Sequence, residues 1–179
     1  GREGSPDLER SRLSGRTDQS GRLLRWLQLS AHPMHPFPHH YRITARAELK
    51  GDVLLEAEGL PALISAPPES FGGPGDRWSP EDLLVAAVAD CFILSFRAVA
   101  RAAHLSWSDL GVHATGELDR VDGVTRFTAV DLDVVLVLPS VTSADAANQA
   151  LLRAEHACLI SASLVCPVRL RSDLQFLSR

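Results

Sequence analysis

Between Leu83 and Val99 only Asp90 and Arg97 carry charge, and any fold this chain adopts has to hide that apolar run. Ser79 ahead of it is a good N-cap. Pro80 suits the first helical position because its missing N–H would have found no partner there, and Glu81 and Asp82 suit the positive end of the helix dipole. These signals predict a helix from Ser79 to about His104. With two charges inside it the run falls short of a clean membrane span, so it is expected to be the central buried helix of a soluble protein.

The flanking segments alternate instead. From Tyr41, the residues Ile43, Ala45, Ala47 and Leu49 share one face while Arg42, Thr44, Arg46 and Glu48 share the other, which predicts a half-buried strand. Gly51-Asp52 supplies a turn and Val53–Glu58 a second strand, so the domain opens with a hairpin. Residues 59–79, dense in Pro and Gly, read as an irregular connection with a short strand at 62–65. Beyond the helix, strands over 110–118 and 124–138 flank an Asp122-Gly123 turn. A helix capped by Ser143 is expected to reach about Leu164, and Pro167 to Phe176 alternates as a closing strand. The order β, β, α, β, β, α, β predicts an α+β fold with a mainly antiparallel sheet around a long buried central helix.

A chain of 179 residues accommodates one domain. The only methionine is Met34, and residues 1–33 are rich in Arg, Ser, Gly and Asp. Residues 1–33 are therefore expected to be a disordered or non-native tail, and 34–179 the folded domain. The formal charge of −4, from 18 basic and 22 acidic residues, shows no basic footprint and speaks against nucleic acid as a partner. The opening residues lack the pattern of a secretion signal, so the expected address is cytoplasmic with no membrane partner. His32, His35, His39 and His40 are interleaved with Pro33, Pro36 and Pro38, which forbid the helix that would align them for a metal.

Three cysteines, an odd number, do not suggest a paired secretory framework. Cys91 lies within the long helix, on a face shared with Leu84, Ala87, Val88, Ser95 and Ala98. That face is mostly apolar and would raise a thiol pKa, so a reactive Cys91 needs stabilisation from elsewhere in the fold. A second cysteine, Cys158, follows Glu155-His156-Ala157. The third, Cys166, opens the closing strand and reads as a packed strand residue.

The stretch Ser79-Pro80-Glu81-Asp82-Leu83-Leu84-Val85-Ala86-Ala87-Val88-Ala89-Asp90-Cys91-Phe92 resembles the central-helix motif of the OsmC/Ohr family, with the cysteine ten positions after the glutamate. Ala154 to Ser161 occupies the place of the family's second cysteine, and the resemblance runs from about Tyr41 to Phe176. Leu159 stands where the family's peroxidases carry proline, a form associated with its less characterised members. The resemblance implies an intertwined homodimer with active sites at the interface, a thiol-dependent peroxidase for organic hydroperoxides serving oxidative-stress defence. Cys91 would be the peroxidatic thiol and Cys158 the resolving one. Glu81 would orient a thiolate-stabilising arginine, for which Arg77 is the best candidate and Arg42 and Arg46 the runners-up. A dithiol of lipoyl type would be the reductant, and no metal, haem or flavin is implied. The competing readings are a non-catalytic dimer of the same fold that binds a small apolar ligand at the interface, and a hydrolase using Cys91 on another electrophile. For an alkyl-binding pocket, Leu84, Phe92 and Phe96 are the expected walls.

Overall fold

The computed structural model describes residues 35–178, so the tail expected over 1–33 lies outside the described residues. The described residues divide into two units, 35–42 and 43–178. Within the described part of the first, the rings of Phe37 and His39 stack at 4.6 Å and His39 Nε2 lies 2.8 Å from the His35 carbonyl oxygen.

The second unit opens with β1 (Thr44–Ala47), β2 (Val53–Glu56) and β3 (Leu63–Ser65), an antiparallel sheet in that order. Its strands are shorter than the alternation suggested, and every residue of β1 is exposed rather than half-buried. The irregular connection that follows is closed at its neck, where Ala66 N–H donates to the Trp78 carbonyl at 2.9 Å.

Helix α1 (Pro80–Ala102) starts where its signals put it. Ser79 Oγ accepts from Asp82 N–H at 3.0 Å and the Asp82 carboxylate accepts from Ser79 N–H at 3.1 Å, a reciprocal capping box around a fully buried serine. By length and composition α1 would also pass for a membrane span. Its burial is narrower than expected of a central helix. Val88, Phe92, Phe96 and Ala100, spaced four apart, are fully buried, whereas Leu94 on another face is 52% exposed.

Strands β4 (Asp109–Val121) and β5 (Val124–Leu138) form a long antiparallel hairpin. Its loop shrinks to Asp122-Gly123, both at positive φ (53° and 80°), the conformation this pair supports in a two-residue turn. Helix α2 (Ala144–Ala157) then crosses over to β6 (Val168–Phe176), which lies parallel to β5, whereas the other strand pairs named among the described residues are antiparallel. The inward residues of β5, Val130, Leu132, Val134, Leu136 and Leu138, pack against the buried α1 stripe and against Ala147, Ala150, Leu151 and Ala154 of α2. Burying side chains of the size of Phe92 or Leu132 stabilises the fold by about 1.5–3 kcal/mol each. Gly116 on β4 lets α1 approach: a β-carbon there would sit 2.6 Å from both Val85 Cγ2 and Phe127 Cε1.

Candidate active site

Cys91 borders the buried stripe of α1 immediately before Phe92, so its thiol is half-buried. Cys158 is fully buried, but not within a helix as expected. Helix α2 ends at Ala157, and Cys158 is its C-cap in an extended conformation (φ −70°, ψ 109°), followed by a single 3₁₀ turn at Ser161–Ser163. Local polar groups explain the early stop. Ser161 N–H donates to Cys158 Sγ at 3.4 Å and Ser163 Oγ–H to the Leu159 carbonyl at 2.8 Å, so this segment satisfies its backbone without continuing the helix.

The packing of α1 on α2 brings the two cysteines together, and their environments differ. Burial pushes the Cys91 thiol up, but hydrogen bonds from the Cys158 thiol, from the N–H groups of Ile160 and Leu159 and from Ser95 outweigh it, leaving Cys91 below the ordinary thiol value. Burial also pushes Cys158 up. The Ser161 hydroxyl and N–H pull it down, the neighbouring Cys91 pushes it further up, and the net result is a raised thiol. At a pH between the two values Cys91 is the thiolate and Cys158 the thiol that donates to it. The Ser161 hydroxyl, buried and without a well-formed hydrogen bond among the described residues, lies beside the Cys158 sulfur.

Arg77 and Glu81 are not part of this cluster within one chain. The Arg77 guanidinium is held by Asp76 at 2.9 Å and by Asp52 at 3.3 Å, and among the described residues no arginine is one of the groups acting on Cys91. Arg46 pairs with Glu56 across the hairpin at 3.8 Å. Glu81 lies ten residues before Cys91, about 15 Å along the helix axis. It stands between two open cavities, of about 370 and 260 Å³. The larger includes His113, Thr115 and Phe127 in its lining, the smaller Val53, Pro67 and Phe71. Glu81 Oε2 is buried and has no hydrogen-bond partner among the described residues.

Phe92 and Phe96 are fully buried, and Phe96 meets Trp107 edge-on at 5.4 Å, so these rings fill the core and do not wall a pocket. Cys166 packs at the edge of the core. Sequence reasoning placed Ser95 on the face of Cys91 without giving it a role, and it missed the amides of Leu159 and Ile160. Spacing reveals the first, since i and i+4 share a helix face. The second depends on where the chain leaves the helix, which no residue type here announces.

A family model described as OsmC-like protein matches residues 73–173, a span that contains both cysteines. The uncharacterised protein YmaD of Bacillus subtilis is 28% identical over 140 residues, covering 75% of this chain and 93% of that protein. An OsmC-like protein of unknown function from Vibrio cholerae superposes with a TM-score of 0.68 at 17% identity, covering 76% of this chain and all of the other. An organic hydroperoxide resistance protein from Legionella pneumophila superposes at 0.63 with 23% identity, covering 78% and 99%. At these identities the two superpositions establish the fold alone.

Proposed function

This chain belongs to the OsmC-like protein family, and from that premise we propose that it is a cysteine-based peroxidase for organic hydroperoxides. The observation that carries the proposal is the pairing of a lowered Cys91 with a raised Cys158 in hydrogen-bonding contact. That a structural relative is described as an organic hydroperoxide resistance protein supports the choice of substrate.

The Cys91 thiolate attacks one oxygen of the hydroperoxide and the O–O bond breaks. The sulfur becomes a sulfenic acid and the departing alkoxide takes up a proton to leave as an alcohol. Cys158 sulfur then attacks the sulfenic sulfur, a disulfide forms, and its proton leaves with the hydroxyl as water. An external dithiol, of lipoyl type in this reading, restores both thiols by two exchange steps and is itself oxidised to a disulfide.

The working unit of this proposal is residues 34–179 assembled as an intertwined homodimer. Two observations support pairing: the exposed apolar residues at the β1–β3 sheet, Ile43 just before β1 and Ile64 in β3, and the open flank of α1 at Leu94. In the dimer Glu81, with its unpartnered carboxylate oxygen, and Arg77 complete the site across the interface.

The test is consumption of cumene hydroperoxide against hydrogen peroxide by the reduced protein supplied with a dithiol. The wild type is expected to prefer the organic peroxide, Cys91→Ser to be inactive, and Cys158→Ser to stop at the sulfenic acid, trapped by dimedone. Equal inactivity of all three would sink the peroxidase and leave a binding protein of the same fold.

A further inference from the structure

Ser161 and Ser163 stand in the same turn after α2, and their hydroxyls fare differently. Ser163 Oγ–H, on an exposed residue, donates to the Leu159 carbonyl at 2.8 Å. Ser161 Oγ is buried and has no hydrogen-bond partner among the described residues. The Cys158 carbonyl, one turn back, takes up Ala162 N–H at 3.0 Å instead. What Ser161 does hold is the Cys158 sulfur, because its N–H donates to Cys158 Sγ at 3.4 Å. The hydroxyl is joined to that amide through Cα and Cβ, so a turn of χ1 between staggered positions brings it to the same atom. A buried donor is costly to leave idle, and a neutral thiol is only a weak acceptor for it. A sulfur that carries negative charge is a far better one.

We infer that Ser161 is the positioning residue of the resolving thiol, its hydroxyl joining its own amide on the Cys158 sulfur when that sulfur becomes a thiolate. This rests on the reading of Cys91 and Cys158 as a two-step pair. In resolution Cys158 gives up its proton, which leaves with the sulfenic hydroxyl as water, and its sulfur bonds to the Cys91 sulfur. Ser161 keeps its own proton throughout and only turns it toward the charge. In reduction the roles reverse. Cys158 has no exposed surface whereas Cys91 is half-buried, so an external thiolate meets the Cys91 sulfur and Cys158 departs as a thiolate between two waiting donors. A donor idle at rest and engaged only as charge develops lowers the barrier rather than the ground state.

Removing the hydroxyl therefore takes away a buried polar atom that makes no bond at rest, and it slows the chemistry without loosening the fold. Of the titratable neighbours, Cys91 acts on Cys158 from α1, and burial already holds Cys158 above the ordinary thiol value. Glu155 and His156 on α2 face each other at 3.5 Å.

The experiment compares Ser161→Ala with the wild-type full chain, and repeats the comparison in a Cys91→Ser background. In the first pair, a single turnover of the reduced protein with cumene hydroperoxide is quenched with dimedone, and sulfenic acid and disulfide are counted by mass spectrometry. Ser161→Ala is expected to form the sulfenic acid on Cys91 at the wild-type rate, to close the disulfide about tenfold more slowly, and to melt at the wild-type temperature or above. In the second pair, alkylation of Cys158 by iodoacetamide is followed against pH by peptide mass spectrometry, which scores Cys166 separately. Loss of the hydroxyl is expected to raise the Cys158 midpoint by about one unit. A loosened loop would do the reverse, since exposure brings a buried thiol down to its ordinary value. An unmoved or lowered midpoint overturns the inference, and so does closure at the wild-type rate in a chain that forms the disulfide. Failure of the two-cysteine reading looks different: the wild type then forms no Cys91–Cys158 disulfide, while the Cys158 midpoint still decides for or against Ser161.

Discussion

β1 alternates throughout and β5 alternates from Val130 to Val134, yet the inward residues of β5 from Val130 to Leu138 are buried and every residue of β1 is exposed. The difference lies in what covers them. The β4–β5–β6 sheet receives α1 and α2 from its own chain, whereas the β1–β3 sheet keeps all of β1 exposed and Ile64 of β3 at 47% exposure. Alternation therefore records that a strand has a face to bury. It does not record whether the cover is encoded in the same chain, and in the proposed homodimer a second copy supplies it for the hairpin.

The sharpest way to break this contrast is to truncate one residue from each sheet. Leu132→Ala is expected to lose about 2–5 kcal/mol of unfolding free energy in urea, since its neighbours on α1 and β5 cannot collapse into the gap. Ile64→Ala, measured at a concentration too low for pairing, should lose less than about 1 kcal/mol. Equal losses would mean that β3 is covered within the chain. Next comes a contrast inside β4. A methyl at Gly116 collides with Val85 and Phe127, and Gly116→Ala should destabilise by about 1–3 kcal/mol, while Gly111→Ala, with nothing within 4 Å, should fall well below that in the same denaturation series.

The third prediction concerns the uncovered sheet directly. Ile64→Glu is expected to weaken self-association about tenfold or more in sedimentation velocity while leaving the far-UV spectrum unchanged, about 1.4 kcal/mol of pairing free energy. An undisturbed dimer would remove β3 from the interface. The smallest effect belongs to the polar outer face of β5 and β6, where a hydrogen bond from Arg171 holds Asp133 below the usual carboxylate range. Because the folded pKa is the depressed one, this contribution is present above the ordinary carboxylate value and lost as pH falls through the folded one. Asp133→Asn should therefore show a slightly shallower fall of Tm between pH 6 and pH 3 than the wild type, and an identical fall would show that the exposed pair contributes nothing.

Legibility followed the range of the interactions concerned. The start of α1 was readable because Ser79, Pro80 and Asp82 act within four residues, and the Asp122-Gly123 turn because both residues accept positive φ. The α+β class followed from element order. Three features were not readable, one because its local hydrogen bonds carry no residue-type signal and two because they depend on partners distant in sequence. Expected up to Leu164, α2 ends at Ala157, where the Ser163 hydroxyl and the Cys158 sulfur take over backbone groups. The parallel alignment of β6 reflects the crossover geometry rather than its own alternation. Cys91 and Cys158 were named from a motif, but their contact and opposite pKa shifts come from helix packing, and the donors at 159 and 160 are main-chain groups that every non-proline residue carries.

The parallel strand also governs when chemistry becomes available. The segment from Cys158 to Pro167 is tied at one end to α2, through Cys158 N–H on the Glu155 carbonyl, and at the other to β5, through Val130 N–H on the Pro167 carbonyl at 3.0 Å. A slip of β6 by two residues would keep its inward and outward faces but drag that segment by about 6.6 Å, beyond the reach of a sulfur hydrogen bond. The thiol pair thus serves as a ruler for strand alignment. A compact state that kept its secondary structure but lost fixed packing would carry two independent thiols, and their pairing would return only with the native alignment of the last strand.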